Sequence, residues 1–333
     1  MKLLRDNQIN RAQWESLVRK SRTGTWFQTP AAFDFFASLP DILTPFAYAV
    51  ERDEQLRAVC VGYVTQERNP IKQFFTRRAI ILGGPCLADD ASDEEIATLL
   101  SSLSCRRLRC PVAKRPFTLS PIYIETRNFN DFSPWKEAFE AAGFAYRKHL
   151  NFHVNPEADN LSDNRRRQLK KSTAVVTEGA NESDIREWYQ VLAQLYRTKV
   201  KTPLWPESFF IEAFRQGIAH FLLVKHQGTI IGGSMIVADE KCVYEWYECG
   251  LNAEYKDQYP SVLATYAGIQ YARTNALPRY DMMGAGEPDV PYGVRDFKAE
   301  FGGQLVEHGR FLAIRHPLLY RLGSLGVKFL KRK

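Results

Sequence analysis

Short apolar runs rich in Val, Ile, Tyr and Phe alternate along the chain with longer segments whose apolar positions recur at helical spacing. The same order is met twice. In the first half, residues 11–20 place Trp14, Leu17 and Val18 on one helix face. Thr29 as N-cap and Pro30 at the first helical position open a second helix to residue 38. Strands at 46–51 and 56–67 flank the polar turn Arg52-Asp53-Glu54-Gln55 and form a hairpin. A third strand at 78–85 ends in Gly83-Gly84-Pro85. The capping box from Ser92 to Glu95 starts a helix to residue 104. A strand at 122–125, a helix from Ser133-Pro134 to Gly143 and a strand at 144–154 follow.

The second half opens with a basic helix at 165–172. An amphipathic helix at 184–199 carries Ile185, Trp188, Tyr189, Leu192, Leu195 and Tyr196 on one face. After a helix at 206–215, strands at 221–225 and 229–237 form a hairpin across His226-Gln227-Gly228. A strand at 242–249, a helix from Tyr259-Pro260-Ser261 to about residue 275, a strand at 279–283, a helix at 294–301 and a strand at 304–314 complete the half. Residues 316–333 form a basic amphipathic helix. Each half thus reads helices, hairpin, strand, helix, strand, helix, strand. The fold class expected is α/β (α+β) with two tandem domains, each a mixed twisted sheet flanked by helices. The polar, Pro-containing stretch 155–160 marks the join, giving domains at 1–155 and 156–315.

Composition adds limits. At 333 residues, 45% hydrophobic and 13% aromatic, the chain has material for two packed cores. The formal charge of +7 suits polyanionic partners, or belongs to an ordinary basic enzyme. Six cysteines without a C-x-x-C spacing give no metal centre and no disulfide framework. The N-terminus lacks the apolar core of a signal peptide, and no apolar run approaches the roughly 20 residues of a membrane span. A cytoplasmic protein is expected.

The chemistry concentrates between Asp281 and Gly303. Gly284, Ala285 and Gly286 allow backbone to approach a ligand closely, and Pro288 and Pro291 stiffen the loop. Arg295 and Lys298 then stand one turn apart on a short helix that Gly302-Gly303 ends. Two cations beside a Gly-rich loop suit an anionic ligand or a developing oxyanion. Asp281 at the strand end is either catalytic or a cap for the following loop. Arg165, Arg166, Arg167, Lys170 and Lys171 form a polyanion footprint or a solvated helix face. Tyr244 and Trp246 share one strand face, with Tyr247 on the other, for core packing or for stacking on a sugar or base. His149 and His153 lack metal-ligand spacing, and no G-x-S-x-G or Cys-His setting offers a covalent nucleophile. The last helix sets Leu319, Leu322, Leu325, Val327 and Leu330 beside Arg321, Lys328, Lys331, Arg332 and Lys333, for packing or for peripheral contact with an anionic membrane face.

This order resembles the GNAT acyltransferase fold, and two such units in tandem resemble the Fem-type (FemABX) aminoacyltransferase family. Three stretches carry the resemblance. They are the basic run Asn164 to Ser172, the hairpin of Leu222 to Ser234 followed by Tyr244-Glu245-Trp246-Tyr247, and Tyr280-Asp281-Met282-Met283-Gly284 with the segment Gly293 to Gly303. The last is similar to a Gly-x-x-x-Phe-Lys-x-x-Phe-Gly-Gly signature. The resemblance implies transfer of an amino acid from aminoacyl-tRNA to the stem-peptide amine of a peptidoglycan precursor. It implies no tightly bound cofactor. Lys298 would stabilise the ester or its oxyanion, by ~3 kcal/mol on the scale of one oxyanion donor. Asp281 is the second catalytic candidate, and Arg295, Gly284, Gly286, Tyr244, Trp246, Arg165, Arg166 and Lys170 are the substrate-binding ones. The partners implied are the tRNA acceptor end and a phosphate-containing cell-wall precursor, met by a monomer whose last helix packs on the first domain. The Q/R-x-x-G-x-G/A pyrophosphate signature of GNAT proteins is absent: Gly83-Gly84-Pro85-Cys86 and Cys249-Gly250-Leu251-Asn252 stand in its two places. The alternatives are an acyl-CoA-dependent N-acyltransferase acting on a lipid, polysaccharide or amino acid, and a non-enzymatic module binding tRNA or membrane phosphates. The first half has no Phe-Lys pair, its counterpart helix reading Pro134-Trp135-Lys136-Glu137-Ala138-Phe139, so the chemistry is expected in the second.

Overall fold

The structure, a computed structural model, describes residues 1–67, 69–103 and 120–332, with side chains to residue 324. Cys105, Cys110 and the end of the helix expected to reach residue 104 lie outside the described residues. The strand β1 (Lys2–Arg5) precedes helix α1 (Arg11–Lys20), capped by Asn10. Helix α2 (Pro30–Ala37) begins as expected, with Thr29 accepting from the Ala32 N–H at 3.1 Å. Strands β2 (Leu43–Arg52) and β3 (Gln55–Thr65) form the hairpin. Helix α3 (Pro70–Thr76), strands β4 (Ala79–Gly83) and β5 (Cys86–Leu87), helix α4 (Asp93–Leu103), strand β6 (Tyr123–Asn128), helix α5 (Lys136–Ala141) and strand β7 (Ala145–Arg147) follow. The Ser92–Glu95 capping box is reciprocal, at 2.8 and 3.3 Å. The chain continues through β8 (Leu150–Val154), α6 (Asp163–Lys171), β9 (Val175–Glu178), α7 (Glu182–Leu195), α8 (Glu207–Arg215), β10 (His220–His226), β11 (Thr229–Ala238), β12 (Val243–Gly250), α9 (Pro260–Thr274), β13 (Tyr280–Gly284), α10 (Gly293–Ala299), β14 (Gln304–Glu307), β15 (Arg310–Ile314) and α11 (Pro317–Arg332).

Two compact units result, Met1–His149 with Glu307–Lys333, and Leu150–Val306. The first sheet has the order β1-β2-β3-β4-β6-β15-β7, with β5 on β3, and the second β9-β10-β11-β12-β13-β8-β14. These orders correspond strand for strand, with a parallel pair at the same place in each, β4–β6 and β12–β13. The duplication is therefore real, but its boundaries differ from the expected 155 and 315. The single strands expected at 144–154 and 304–314 are each divided. β7 and β14 edge their own sheets, whereas β8 and β15 each lie next to the parallel pair of the other sheet. A continuous apolar run does not encode which sheet receives it, so the pattern missed the exchange. β1, α3, β5 and β9 were also missed. They are short, and α3 and β9 bury no residue, so no period marks them.

The first core gathers Phe46, Leu99, Phe139, Phe144 and Phe311, with Phe139 of α5 and Phe311 of β15 stacking at 4.0 Å. The second gathers Phe152, Ile236, Val262, Ile269, Tyr280 and Phe301 beneath α9. Cys60, Cys86, Cys242 and Cys249 are free thiols buried in these interiors.

Candidate active site

In the second sheet, the parallel ladder of β12 and β13 holds two pairs, Val243 with Tyr280 and Tyr244 with Asp281. Both strands then continue without pairing to each other, β12 to Gly250 and β13 to Gly284. Two irregularities accompany the parting. Trp246 is an extra residue in β12, because Ile236 pairs with Glu245 but Met235 with Tyr247. On the other strand, Met283 adopts φ +58° and β13 shifts register against β8. Strand carbonyls that lose a neighbour need other donors. Lys298 supplies them, its Nζ donating to Met282 O and, at 2.8 Å, to Gly284 O. The surface-lysine alternative does not hold, since Lys298 is 8% exposed. Phe301 anchors its helix in the core, and Gly302 ends it at φ +76°, where a Cβ would lie 2.1 Å from Asn160 O.

Carboxyls face this ammonium. Burial pushes Lys298 below the ordinary lysine value, while Glu245, Asp281 and Glu248 oppose the shift. Glu245 is buried, accepting from the Tyr280 hydroxyl and, at 3.4 Å, from Thr265. Its burial lifts the carboxyl above the usual range against the pull of Lys298. Glu248 is pushed up to about 8 by burial and by the Glu245 charge, against a hydrogen bond from Ser261 and the attraction of Lys298. Its Oε1 is buried without a hydrogen-bond partner among the described residues. Asp281 behaves differently. Burial would raise it, but His153, Arg279 and the Met283 N–H together hold it below the usual carboxylate range. Its Oδ2 lies 3.2 Å from His153 Nε2, and its Oδ1 accepts from the Met283 N–H at 2.6 Å. The loop-capping alternative for Asp281 is thus present in the geometry.

The other sequence candidates divide. Arg295 donates to Ala285 O at 2.9 Å, Pro288 O at 3.2 Å, Val290 O at 3.1 Å and to Glu287 O, so its guanidinium clamps the loop rather than pairing with a carboxylate on its own helix. Gly284 gives its carbonyl to Lys298. Gly286, at φ +80°, lies where a Cβ would meet the Tyr292 ring at 2.9 Å, so a side chain of this protein already fills that approach. Tyr244 is fully buried, which leaves no face for stacking on a ligand. Because of the bulge, Trp246 does not share its face with Tyr244. Trp246 lies 6.2 Å from Tyr247 with near-parallel rings, edge-on to Phe209 at 5.3 Å, and is half-buried. The basic helix is largely used internally. Arg165 is buried, its guanidinium 4.5 Å above the Phe297 ring and 3.3 Å from Glu300. Arg166 is paired with both Asp159 oxygens at 2.8 Å, and Lys171 with Asp257 at 2.6 Å. Lys170 and Arg167 remain exposed. Through Arg165 the segment packs against α10, the helix that carries Lys298.

Sequence reasoning missed Glu245, Glu248 and Tyr280 and set His153 aside. A signal existed: Glu245 and Glu248 interrupt a strand otherwise made of Val, Tyr, Trp, Cys and Gly. At the start of α9 the donors are all engaged. Pro260 has no N–H, Ser261 N donates to Asn252 Oδ1 at 3.2 Å, and Val262 and Leu263 donate to Tyr259 O at 2.9 and 3.1 Å. Gly250 packs so closely there that a Cβ would lie 2.7 Å from Ser261 N. Among the described residues no group of three His, Cys, Asp or Glu is arranged to hold a metal.

Residues 160–298 match the family model described as Acetyltransferase (GNAT) domain. The structure titled crystal structure of FemX is 15% identical, with a TM-score of 0.69 over 97% of this chain and 99% of that one. The chain has the Fem-type, tandem GNAT fold. A tandem GNAT protein from the clavulanic acid biosynthesis pathway is 11% identical, with a TM-score of 0.56 over 94% and 98% of the two chains. The C-terminal domain of a putative lysylphosphatidylglycerol synthetase from Agrobacterium fabrum is 12% identical, with a TM-score of 0.52 over 95% of each. Among curated proteins none matches. The protein is an acyltransferase, and the matched GNAT segment falls inside the second unit, where the parallel strands part.

Proposed function

We propose that this chain moves an amino acid from aminoacyl-tRNA to the amine of a peptidoglycan-precursor stem peptide, which places its action in the cytoplasm. The observation that carries the choice of donor is the closed first turn of α9. A nucleotide pyrophosphate held at a helix N-terminus needs free N–H groups, and here Asn252 and Tyr259 take them. An aminoacyl ester makes no such demand. Its carbonyl carbon is attacked by the acceptor amine, the C–N bond forms, and the ester C–O bond breaks to release the tRNA hydroxyl. Two of the three Lys298 ammonium protons go to Met282 O and Gly284 O, leaving one for the developing oxyanion. Glu248, once ionised, takes the amine proton and passes it to the departing tRNA oxygen, and its value of about 8 suits a base working near neutral pH. Asp281, fixed by His153 and the Met283 N–H, positions the strand end. Arg167 and Lys170 are the cations left to meet tRNA phosphates.

One finding favours a second reading. The matched family description is an acetyltransferase, which suits an acyl-CoA donor and a lipid, polysaccharide or amino-acid acceptor. Purified protein offered charged tRNAs, acyl-CoA and a muropeptide precursor, with mass spectrometry of the product, decides between them. The proposal expects an aminoacyl mass increment that requires charged tRNA. An acyl increment from CoA alone, or no transfer from any charged tRNA, contradicts it.

A further inference from the structure

Helices α3 and α11 of the first unit lie against one another, and both turn large apolar side chains outward. On α3, Ile71, Phe74 and Phe75 are 71%, 43% and 45% exposed, and on α11 Leu318 and Leu322 are 76% and 57% exposed. The spacings i, i+3, i+4 and i, i+4 place each set on one face of its helix. These faces do not hold the unit together. No residue of α3 is buried, and α11 makes its inward contact with other residues, the Tyr320 ring meeting Tyr123 edge-on at 5.4 Å. Leaving this much apolar surface in water is unfavourable, and contiguous patches of it mark a partner.

The charges choose the partner. Neither helix contains an Asp or Glu. By sequence α3 carries Lys72, and α11 carries Arg321, Lys328, Lys331 and Arg332. Within the two helices the exposed hydrocarbon is accompanied only by cations, with Glu67 the acidic residue bonded to α3 through its backbone, and this matches an anionic bilayer surface, where apolar side chains enter the boundary of the acyl chains and Lys or Arg meets the phosphates. Among the described residues no helix is long and apolar enough to cross a membrane, so the contact is a peripheral one. We infer that α3 and α11 together form a docking face for an anionic lipid surface. The inference stands apart from the choice of acyl donor.

Flotation of the full chain with phosphatidylglycerol–phosphatidylcholine vesicles, and with pure phosphatidylcholine, tests it. The expected result is salt-sensitive binding to the anionic vesicles and weak binding to the neutral ones. Phe74→Ser/Phe75→Ser and Leu318→Ser/Leu322→Ser should each reduce it by about tenfold or more, from the apolar area withdrawn from the bilayer. The replaced side chains are exposed, so circular dichroism and Tm should not move. Lys72→Glu/Arg321→Glu, which keeps the apolar face, should weaken binding to the anionic vesicles alone. Absence of flotation, or serine variants that float as the wild type does, overturns the inference. So does a wild-type dimer in sedimentation that the same serine substitutions dissociate, because the face would then serve a second copy of the chain.

Discussion

The two sheets share an order but treat their parallel pair differently. In the first, β4 and β6 stay in register over five pairs, from Ala79–Ile124 to Gly83–Asn128. In the second, β12 and β13 part after two. The carboxyls at the second pair of the two ladders, Glu125 and Asp281, are both held below the usual range, so the contrast lies beyond that pair. Glu125 is held by Arg127 at 2.9 Å and Arg310 at 3.1 Å, and despite burial these guanidinium groups bring it down to about 2. In the second unit the opened strands leave a lysine donating to orphaned carbonyls, with Glu248 at about 8 nearby. The lysines differ likewise. Lys136 on α5 is exposed and pairs with Glu140, whereas Lys298 on α10 is buried. Where the first sheet does loosen, between β3 and β4, the Gln28 side chain fills the gap, bonding to Val61 and to Leu82 O. The same architecture thus supports a settled ion pair in one unit and an unneutralised, sequestered cluster in the other. Groups held away from their ordinary protonation are what acid–base chemistry uses.

Substitutions can break this contrast. The largest effect is expected from Lys298→Met, a fall in transfer rate of about 10²–10³-fold, the range for losing one oxyanion donor. Lys136→Met should leave the rate within about twofold, as for an exposed residue away from the chemistry. Next comes Arg310→Met, which takes one of its two guanidinium partners from Glu125 and leaves Arg127. It should destabilise the fold by about 3 kcal/mol in urea titration while leaving transfer per folded molecule unchanged.

Glu248→Gln should lower the rate by about 10²-fold at pH 8 and abolish a rise in wild-type rate as pH climbs through about 8. Stability gives the opposite slopes for the two carboxyls. Glu248, raised from 4.5 to about 8, favours the fold below pH 4.5 and withdraws that contribution as pH rises through about 8. Glu125, lowered from 4.5 to about 2, contributes above pH 4.5 and is lost as pH falls through about 2. Glu248→Gln should therefore flatten the decline on the alkaline side alone, as read by Tm against pH. The smallest effect is expected from Arg167→Ala/Lys170→Ala. Affinity for tRNA should fall several-fold, and the slope of log affinity against log salt should flatten by about 1.5, since two phosphate contacts are lost.

Much of this was legible in the sequence. Thr29-Pro30, Ser92 to Glu95 and Gly302 fixed helix ends through local capping chemistry, and the hairpins followed from β-branched runs around polar turns. Lys298 was found through its Phe-Lys and Gly-Gly setting. The reciprocal placement of β8 and β15 was not legible, because it depends on which sheet edge is open and not on the run's own pattern. Arg165 and Arg295 looked like ligand-binding cations because charge reads as exposure until burial is known. In the fold one lies over Phe297 and the other is fastened to the 285–290 loop. Glu248 was overlooked among aromatics, and its value depends on Glu245, Ser261 and Lys298, which meet it only in three dimensions.

The most direct measurement follows the two carboxyls in one sample, by 13C NMR titration of glutamate-labelled protein with Glu125→Gln and Glu248→Gln for assignment. The expected result is one carboxyl titrating near about 2 and assigned to Glu125, and another near about 8 and assigned to Glu248. Both titrating together at the ordinary glutamate value would contradict the account.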